Sequence, residues 1–281
     1  MNRPAAVAGS WYPGSAGALT REVDVLLDAA GPVPRGRIRA VIAPHAGMMF
    51  SGPVGAYAYK AAAASRGYDV IVLVGPSHFV AFDGVALYPE GAFDTPLGAA
   101  AIDPQGARAM GSFPIVRALP DAHRREHSLE MQLPFIRRLF PETPIVPLLM
   151  GFQTRPTIEA LASALADAFR ERDALIVAST DLSHYFDAKT AVALDGRVQD
   201  CVAGFDADRL LQLFEQYPEH DRGRYVACGG GPAISVMIAA RALGATESRV
   251  LRYAHSGEVS GDYDGVVGYL AAAMGTFGDA Q

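Results

Sequence analysis

Four short runs along the chain, at positions 38–43, 70–74, 145–149 and 175–178, are apolar almost throughout rather than at every second residue. A strand with one face in water alternates; continuous runs fit parallel strands covered by helices on both faces. The stretches between them carry a different pattern. Positions 54–64 are rich in alanine, 127–140 are amphipathic, and 157–172 show the leucine and alanine spacing of a surface helix. Strand and helix in alternation predict βαβ units and a mainly parallel sheet. Residues 85–88 and 115–119 are expected to pair at an edge or within an inserted hairpin. The segments RVLRYAH and DGVVGYLAAAM, at 249–255 and 264–274, predict two further strands. No segment repeats at a fixed period.

The 281 residues are 50% hydrophobic, which suffices for a full core. No proline- or serine-rich linker, charge run or low-complexity tract divides them, so a single α/β domain over residues 1–281 is expected. A net charge of −6 and a pI near 5.6 argue against nucleic acid or an anionic membrane as the main partner. The opening MNRPAAVAGSWYPGS lacks the apolar core of a secretory leader. The longest uncharged stretch, 40–59, is broken by Pro44, His45, Gly47, Gly52 and Pro53 and makes a poor membrane span. Two cysteines, Cys201 and Cys228, exclude a disulfide framework and point to a reducing cytoplasm.

Three of the apolar runs end in the same chemistry. The first leads into Pro44-His45-Ala46-Gly47, the second into Gly75-Pro76-Ser77-His78, and the fourth into Ser179-Thr180-Asp181-Leu182-Ser183-His184. In an open parallel sheet the carboxyl ends of the strands line one edge, and that edge is the binding crevice. Three segments therefore deliver His45, His78, Asp181 and His184 to one place. A single loop histidine means little, but three coincident strand ends predict a site, and imidazole makes a metal the first reading.

Cys228 opens CGGGPAISVMIAA, a glycine-rich loop leading into a helix with Pro232 in its first turn. A thiol there has its thiolate favoured by free amides and the helix dipole, so ligand, nucleophile and buried filler all remain open for it. Cys201 is expected to be a small buried hydrophobe. The glycines match no nucleotide-binding fingerprint. In EHSLEMQLPF, His127 and Glu130 lie three apart, so a helix there turns both toward the crevice; ordinary first-turn acidity is the competing reading. Trp11, the only tryptophan, is expected to anchor the core or to wall the crevice.

Taken in order, AGSWYPG, APHAGMMFSG, GPSHF, EHSLEMQLPF, STDLSHY, ACGGGP and SGEVSGDYDGVVGY resemble the signature blocks of the Memo family across nearly the whole chain. The resemblance implies a single domain similar in fold to class III extradiol ring-cleaving dioxygenases. It implies His45, His78 and Cys228 as metal ligands, with Asp181 and His184 at the same site and His184 as its acid/base. It implies Trp11 as a cleft-wall residue, linked to peptide binding in animal members. Bacterial and archaeal members, called the B protein of the AmmeMemoRadiSam system, imply a functional link to a radical-SAM protein.

A thiolate in place of the dioxygenase carboxylate keeps the charge but is softer, which widens the metals from iron(II) to copper and zinc. Three readings follow. One is a metal-dependent redox or dioxygenase-like enzyme acting on a small molecule such as an aromatic diol or aminophenol. Another is a metal-free Cys228 nucleophile paired with His184 or His78. The third is a peptide- or protein-binding effector that uses the enzyme-like cleft.

Overall fold

The structure is a computed structural model and describes residues 2–65 and 67–278. Among these, the strands are β1 (Gly36–Ala43), β2 (Val70–Pro76), β3 (Val85–Leu87), β4 (Ala92–Phe93), β5 (Ala100–Ala101), β6 (Val116–Ala118), β7 (Ile145–Met150), β8 (Ala174–Ser179), β9 (His184–Phe186), β10 (Glu247–His255) and β11 (Val266–Phe277). The main sheet runs β10-β11-β1-β8-β2-β7-β3-β6, with β9 pairing to β11, and β4 and β5 form a separate small pair.

The four continuous apolar runs are the four central strands, parallel throughout: β1 with β8, β8 with β2, and β2 with β7. Every residue of β2, β7 and β8 is buried, so both sheet faces are covered there. Helix Met48–Ala63 packs on β1, β10 and β11, while Gly230–Ala242 packs on β8, β2 and β1 beside Arg155–Ala168. The fold is thus α/β with a parallel centre flanked by helices. The two strands expected near the end of the chain are β10 and β11, which add an antiparallel flank to β1. β3 and β6 do lie at the other edge, but they pair in parallel rather than as a hairpin. Cys201 is buried, as expected.

Two helices depart from the pattern read in the sequence. The alanine-rich helix starts at Met48 instead of 54 and carries Pro53 inside it. One intrahelical bond is lost there, while the first turn gains an anchor, because the Met48 amide donates to the Trp11 carbonyl at 2.8 Å. The stretch expected to be helical over 127–140 breaks into a 3₁₀ turn, Glu130–Gln132, and a short helix, Leu133–Leu139. His127 and Glu130 therefore do not share a helical face.

Glu130 is fully buried and turned away from the crevice. Its carboxylate accepts from Arg3 Nη1 at 2.5 Å, the amides of Ala6 and Val7 at 2.8 and 3.0 Å, and the Tyr12 hydroxyl at 2.7 Å. A charge taken from water needs such a set of donors, and only the amino-terminal segment supplies them. The expectation that Glu130 lines the cleft is corrected: it fastens the segment that carries Trp11.

A second buried carboxylate shapes β11. Asp195, from helix Ala188–Ala203, accepts from the Ser183 amide at 2.9 Å and the Tyr253 hydroxyl at 2.8 Å. A Cβ at Gly268 would lie 1.9 Å from Asp195 Oδ2. Held by two donors, the carboxylate has little freedom to move aside. Gly268→Ala is therefore expected to lower unfolding stability by about 1–3 kcal/mol, the usual cost of overpacking. Urea denaturation checks it, and an unchanged midpoint would show that the carboxylate yields freely.

Candidate metal centre

The sheet order places β1, β8 and β2 side by side, so their carboxyl ends lie together. His45 stands two residues past β1, His78 two past β2, and Asp181 two past β8. Cys228 reaches them from another direction, ahead of helix Gly230–Ala242. That approach requires Gly229, whose Cβ would meet the Ser179 carbonyl oxygen at 2.5 Å. The Gly229 amide donates to Thr180 Oγ1 at 2.8 Å, while the Cys228 amide donates to the Asp181 carbonyl at 3.2 Å.

One ligand atom each from His45, His78 and Cys228 come within 4.8 Å of one another. The hydrogen-bond network assigns the ring protons. Ser179 Oγ donates to the Ser128 carbonyl at 2.6 Å and accepts from Gln132 Nε2 at 2.8 Å. Its one proton is spent, so the 2.9 Å contact with His45 Nδ1 is a bond donated by the ring. Nε2 of His45 is left to face Cys228 Sγ at 3.2 Å, so the hydrogen of that contact is shared between ring nitrogen and sulfur. His78 Nδ1 faces Glu126 Oε1 at 2.9 Å, and the His78 amide donates to Glu126 Oε2 at 2.6 Å. A histidine fixed through its far nitrogen by a carboxylate is the usual support of a metal ligand.

Electrostatics favour a cation at the convergence. Burial raises the Cys228 thiol, but the His45 and His78 imidazoles more than offset it and bring its pKa down to about 6. The Asp181 amide adds a donor to Sγ at 3.3 Å. Burial lowers His45, whereas for His78 burial is outweighed by the hydrogen bonds to Cys228 and Glu126, which lift it to about 10. A thiolate facing two imidazoles needs a positive charge among them. A proton on His78 balances the charge, and a soft or borderline cation satisfies the same set without it. The donors therefore fit a metal ion.

Trp11, His127, Asp181 and His184 line one cavity of about 460 Å³ with His45, His78 and Cys228. Trp11 is 38% exposed and its ring lies 4.4 Å from that of His127, so it walls the cleft instead of anchoring the core. His127 stacks on His78 at 4.7 Å, and burial holds it down to about 4, keeping the ring neutral. Asp181 is buried, which raises its carboxyl, and it accepts from the His45 and Ala46 amides at 2.7 and 3.3 Å. It thus positions the His45 turn. The His184 ring is oriented by its own backbone, with Nδ1 2.8 Å from the Leu182 carbonyl, which leaves Nε2 free. Tyr185 follows at φ 63°, a left-handed conformation rare for a tyrosine, at the kink that carries His184.

Sequence reasoning missed Glu126, Ser179 and Gln132. Glu126 stands beside His127 in the quoted block, but no motif marks it as the partner of His78. Its burial, which raises the carboxyl, is overcome by His78 and the backbone amides, which hold it at about 2.

The chain matches the family model described as Memo-like protein over residues 3–273. It is 38% identical over 279 residues to a MEMO1 family protein of Methanothermobacter thermautotrophicus, covering 96% of this chain and 99% of that one. It is 35% identical to another from Methanopyrus kandleri and 33% identical to one from Thermotoga maritima, over 96% and 98% of this chain and 98% and 100% of theirs. The fold is similar to that of an uncharacterised protein of Escherichia coli K12 in a crystal structure, with a TM-score of 0.59 and 15% identity, covering 85% of this chain and all of that one.

The lowered thiol gives a direct expectation. Iodoacetamide should alkylate Cys228 of the metal-free protein with a midpoint near pH 6, whereas burial pushes Cys201 up and keeps it inert. His78→Ala removes one stabilising partner and should move that midpoint upward. Mass-spectrometric mapping across pH measures both, and a Cys228 midpoint at or above the ordinary thiol range would contradict the thiolate assignment.

Proposed function

Because the chain belongs to the Memo family, we propose that it is a metal-dependent redox protein that holds iron(II) or copper, with zinc a third option, on His45, His78 and Cys228. The supporting observation is the convergence of two supported imidazoles and a lowered thiol. Iron or copper bound there would supply electron transfer to or from an organic substrate or dioxygen, whereas zinc would supply only Lewis-acid polarisation. Ser179 and Glu126 fix the ring orientations, and Asp181 fixes the turn that carries His45. The cavity under Trp11 accommodates a small molecule, for which an aromatic diol or aminophenol is the proposed class.

In that cavity His184 is the proton-transfer residue. Its Nδ1 hydrogen is committed to the Leu182 carbonyl, so Nε2 can take a proton from a bound hydroxyl and return it later. Trp11 and His127 wall the cavity on that side. A second reading has one observation in its favour. A thiol lowered to about 6 beside an imidazole at 3.2 Å is also an activated nucleophile.

Anaerobic titration with iron(II) and copper separates the two. Stoichiometric binding is expected in the wild type and its loss in His45→Ala, His78→Ala and Cys228→Ala. Binding that survives all three substitutions would reject the ligand set. Iodoacetamide labelling that is blocked by metal and restored by a chelator supports the same assignment, and labelling indifferent to metal favours the nucleophile. His184→Ala is expected to keep the metal while losing roughly 10²–10⁴-fold in turnover, the usual worth of a positioned acid/base. Metal content and oxygen consumption with a panel of catechols and aminophenols, measured side by side, check this. A His184→Ala protein that no longer binds metal would make this residue a ligand.

A further inference from the structure

A second cavity, of about 520 Å³, opens on the same thiol and imidazole from another side. His78, Gly223 and Cys228 line both cavities. The short helix Glu219–Tyr225 runs between them with none of its residues buried, and a Cβ at Gly223 would lie 3.5 Å from the Cα of Cys228. Arg222 and Arg224 are two apart on this helix and so leave it on nearly opposite sides. Arg222 lines the second cavity and Arg224 the first. Neither pairs with a carboxylate among the described residues.

Arg222 is the better held of the two. Its Nε donates to the Tyr217 carbonyl at 3.1 Å, its Nη1 to the Gln153 carbonyl at 3.3 Å, and its guanidinium lies 5.2 Å from the centre of the buried Phe214 ring. Those bonds use two of five N–H donors, and the remaining edge has no anion to meet. Gln153 links this arginine to the thiol residue, because its side chain donates to the Cys228 carbonyl at 2.7 Å. Pro76 and Phe152, the latter 44% exposed, give the apolar part of the wall, and Ser77 and His220 are further polar residues in it. The one carboxylate in the lining, Glu219, sits at the rim in water, where its charge is screened more than that of the half-buried arginine.

We infer that this second cavity is the carboxylate-anchoring half of the substrate site: Arg222 binds the carboxylate of a small, flat organic acid whose apolar body lies against Phe152 and Pro76, with its far end directed at Cys228 and His78. The inference rests on the reading of the cleft as a substrate site, but not on which metal occupies it. A planar fork of free donors suits a carboxylate bidentately. A volume of this order suits a single-ring molecule.

The test uses the full chain without metal, so that its outcome stands apart from the metal titration. Benzoate and benzamide, nearly equal in shape, are titrated while the amide resonances of Phe152 and Gln153 are followed by NMR. Benzoate should bind roughly tenfold or more tightly than benzamide, as expected of a hydrogen bond to a charged group. Arg222→Gln should abolish the preference, Arg222→Lys should retain part of it, and Arg224→Gln should leave it intact, all three keeping the wild-type circular dichroism. An Arg222→Gln chain that fails to fold leaves the decision to Arg222→Lys, in which an undiminished preference overturns the role of the planar fork. The assignment also falls if the wild type shows no preference for benzoate, or if the preference survives in Arg222→Gln. Loss of the preference in Arg224→Gln instead would place the carboxylate in the other cavity and overturn it equally.

Discussion

One buried hydroxyl ties together the segments on which the candidate metal centre depends. Ser179, at the end of β8, hands its proton to the Ser128 carbonyl and receives bonds from Gln132 and His45. Gln132 in turn donates to the Pro44 carbonyl and accepts from the Tyr59 hydroxyl. The strand end, the loop before the 3₁₀ turn and the His45 turn thus meet at one oxygen, and Gln132 extends the network to helix Met48–Ala63. Because that oxygen has a single proton and spends it elsewhere, the tautomer of His45 is decided by the scaffold. That Nε2 is the nitrogen turned to Cys228 follows from the hydrogen bonds of a dry interior, where an unpaired polar group is costly.

The same economy governs His78. Glu126 is almost completely buried, yet it stays ionised because His78 offers it both a backbone amide and a ring nitrogen, and Ser128 a further amide. Its charge is relayed to the centre as a better-oriented imidazole. Burial, which alone would neutralise these groups, instead strengthens their pairing. Asp181 plays a parallel part on the other side, converting its carboxylate into a fixed His45 backbone.

The wall of the cleft is a separate construction, built by the amino-terminal segment. Arg3 donates to the carbonyls of His123 and Glu126 and pairs with Glu130, which also gathers the amides of Ala6 and Val7 and the hydroxyl of Tyr12. Trp11 is thereby held over His127 while its own carbonyl receives the first amide of helix Met48–Ala63. Residues that look like ordinary surface charges in the chain form the buried frame behind the site, and the aromatic residue that looks like core is the one in contact with solvent.

Much of this protein was legible in its sequence. Continuous apolar runs identify central parallel strands because only helices on both faces permit them. The strand ends then bring His45, His78 and Asp181 together through topology alone, since neighbouring parallel strands end on one edge. The quoted blocks carried the family. Periodicity failed where local pattern and global need disagreed: 127–140 reads as one amphipathic helix, but the buried carboxylate of Glu130 had to reach donors 118 to 127 residues away. The roles of Glu126, Ser179 and Gln132, the exposure of Trp11, and the division of the cleft by the helix of Arg222 and Arg224 came only with the tertiary structure. Each depends on which polar group meets which across distant segments. A sequence states the donors and acceptors, but their pairing is fixed only when water is excluded and every buried group must find a partner.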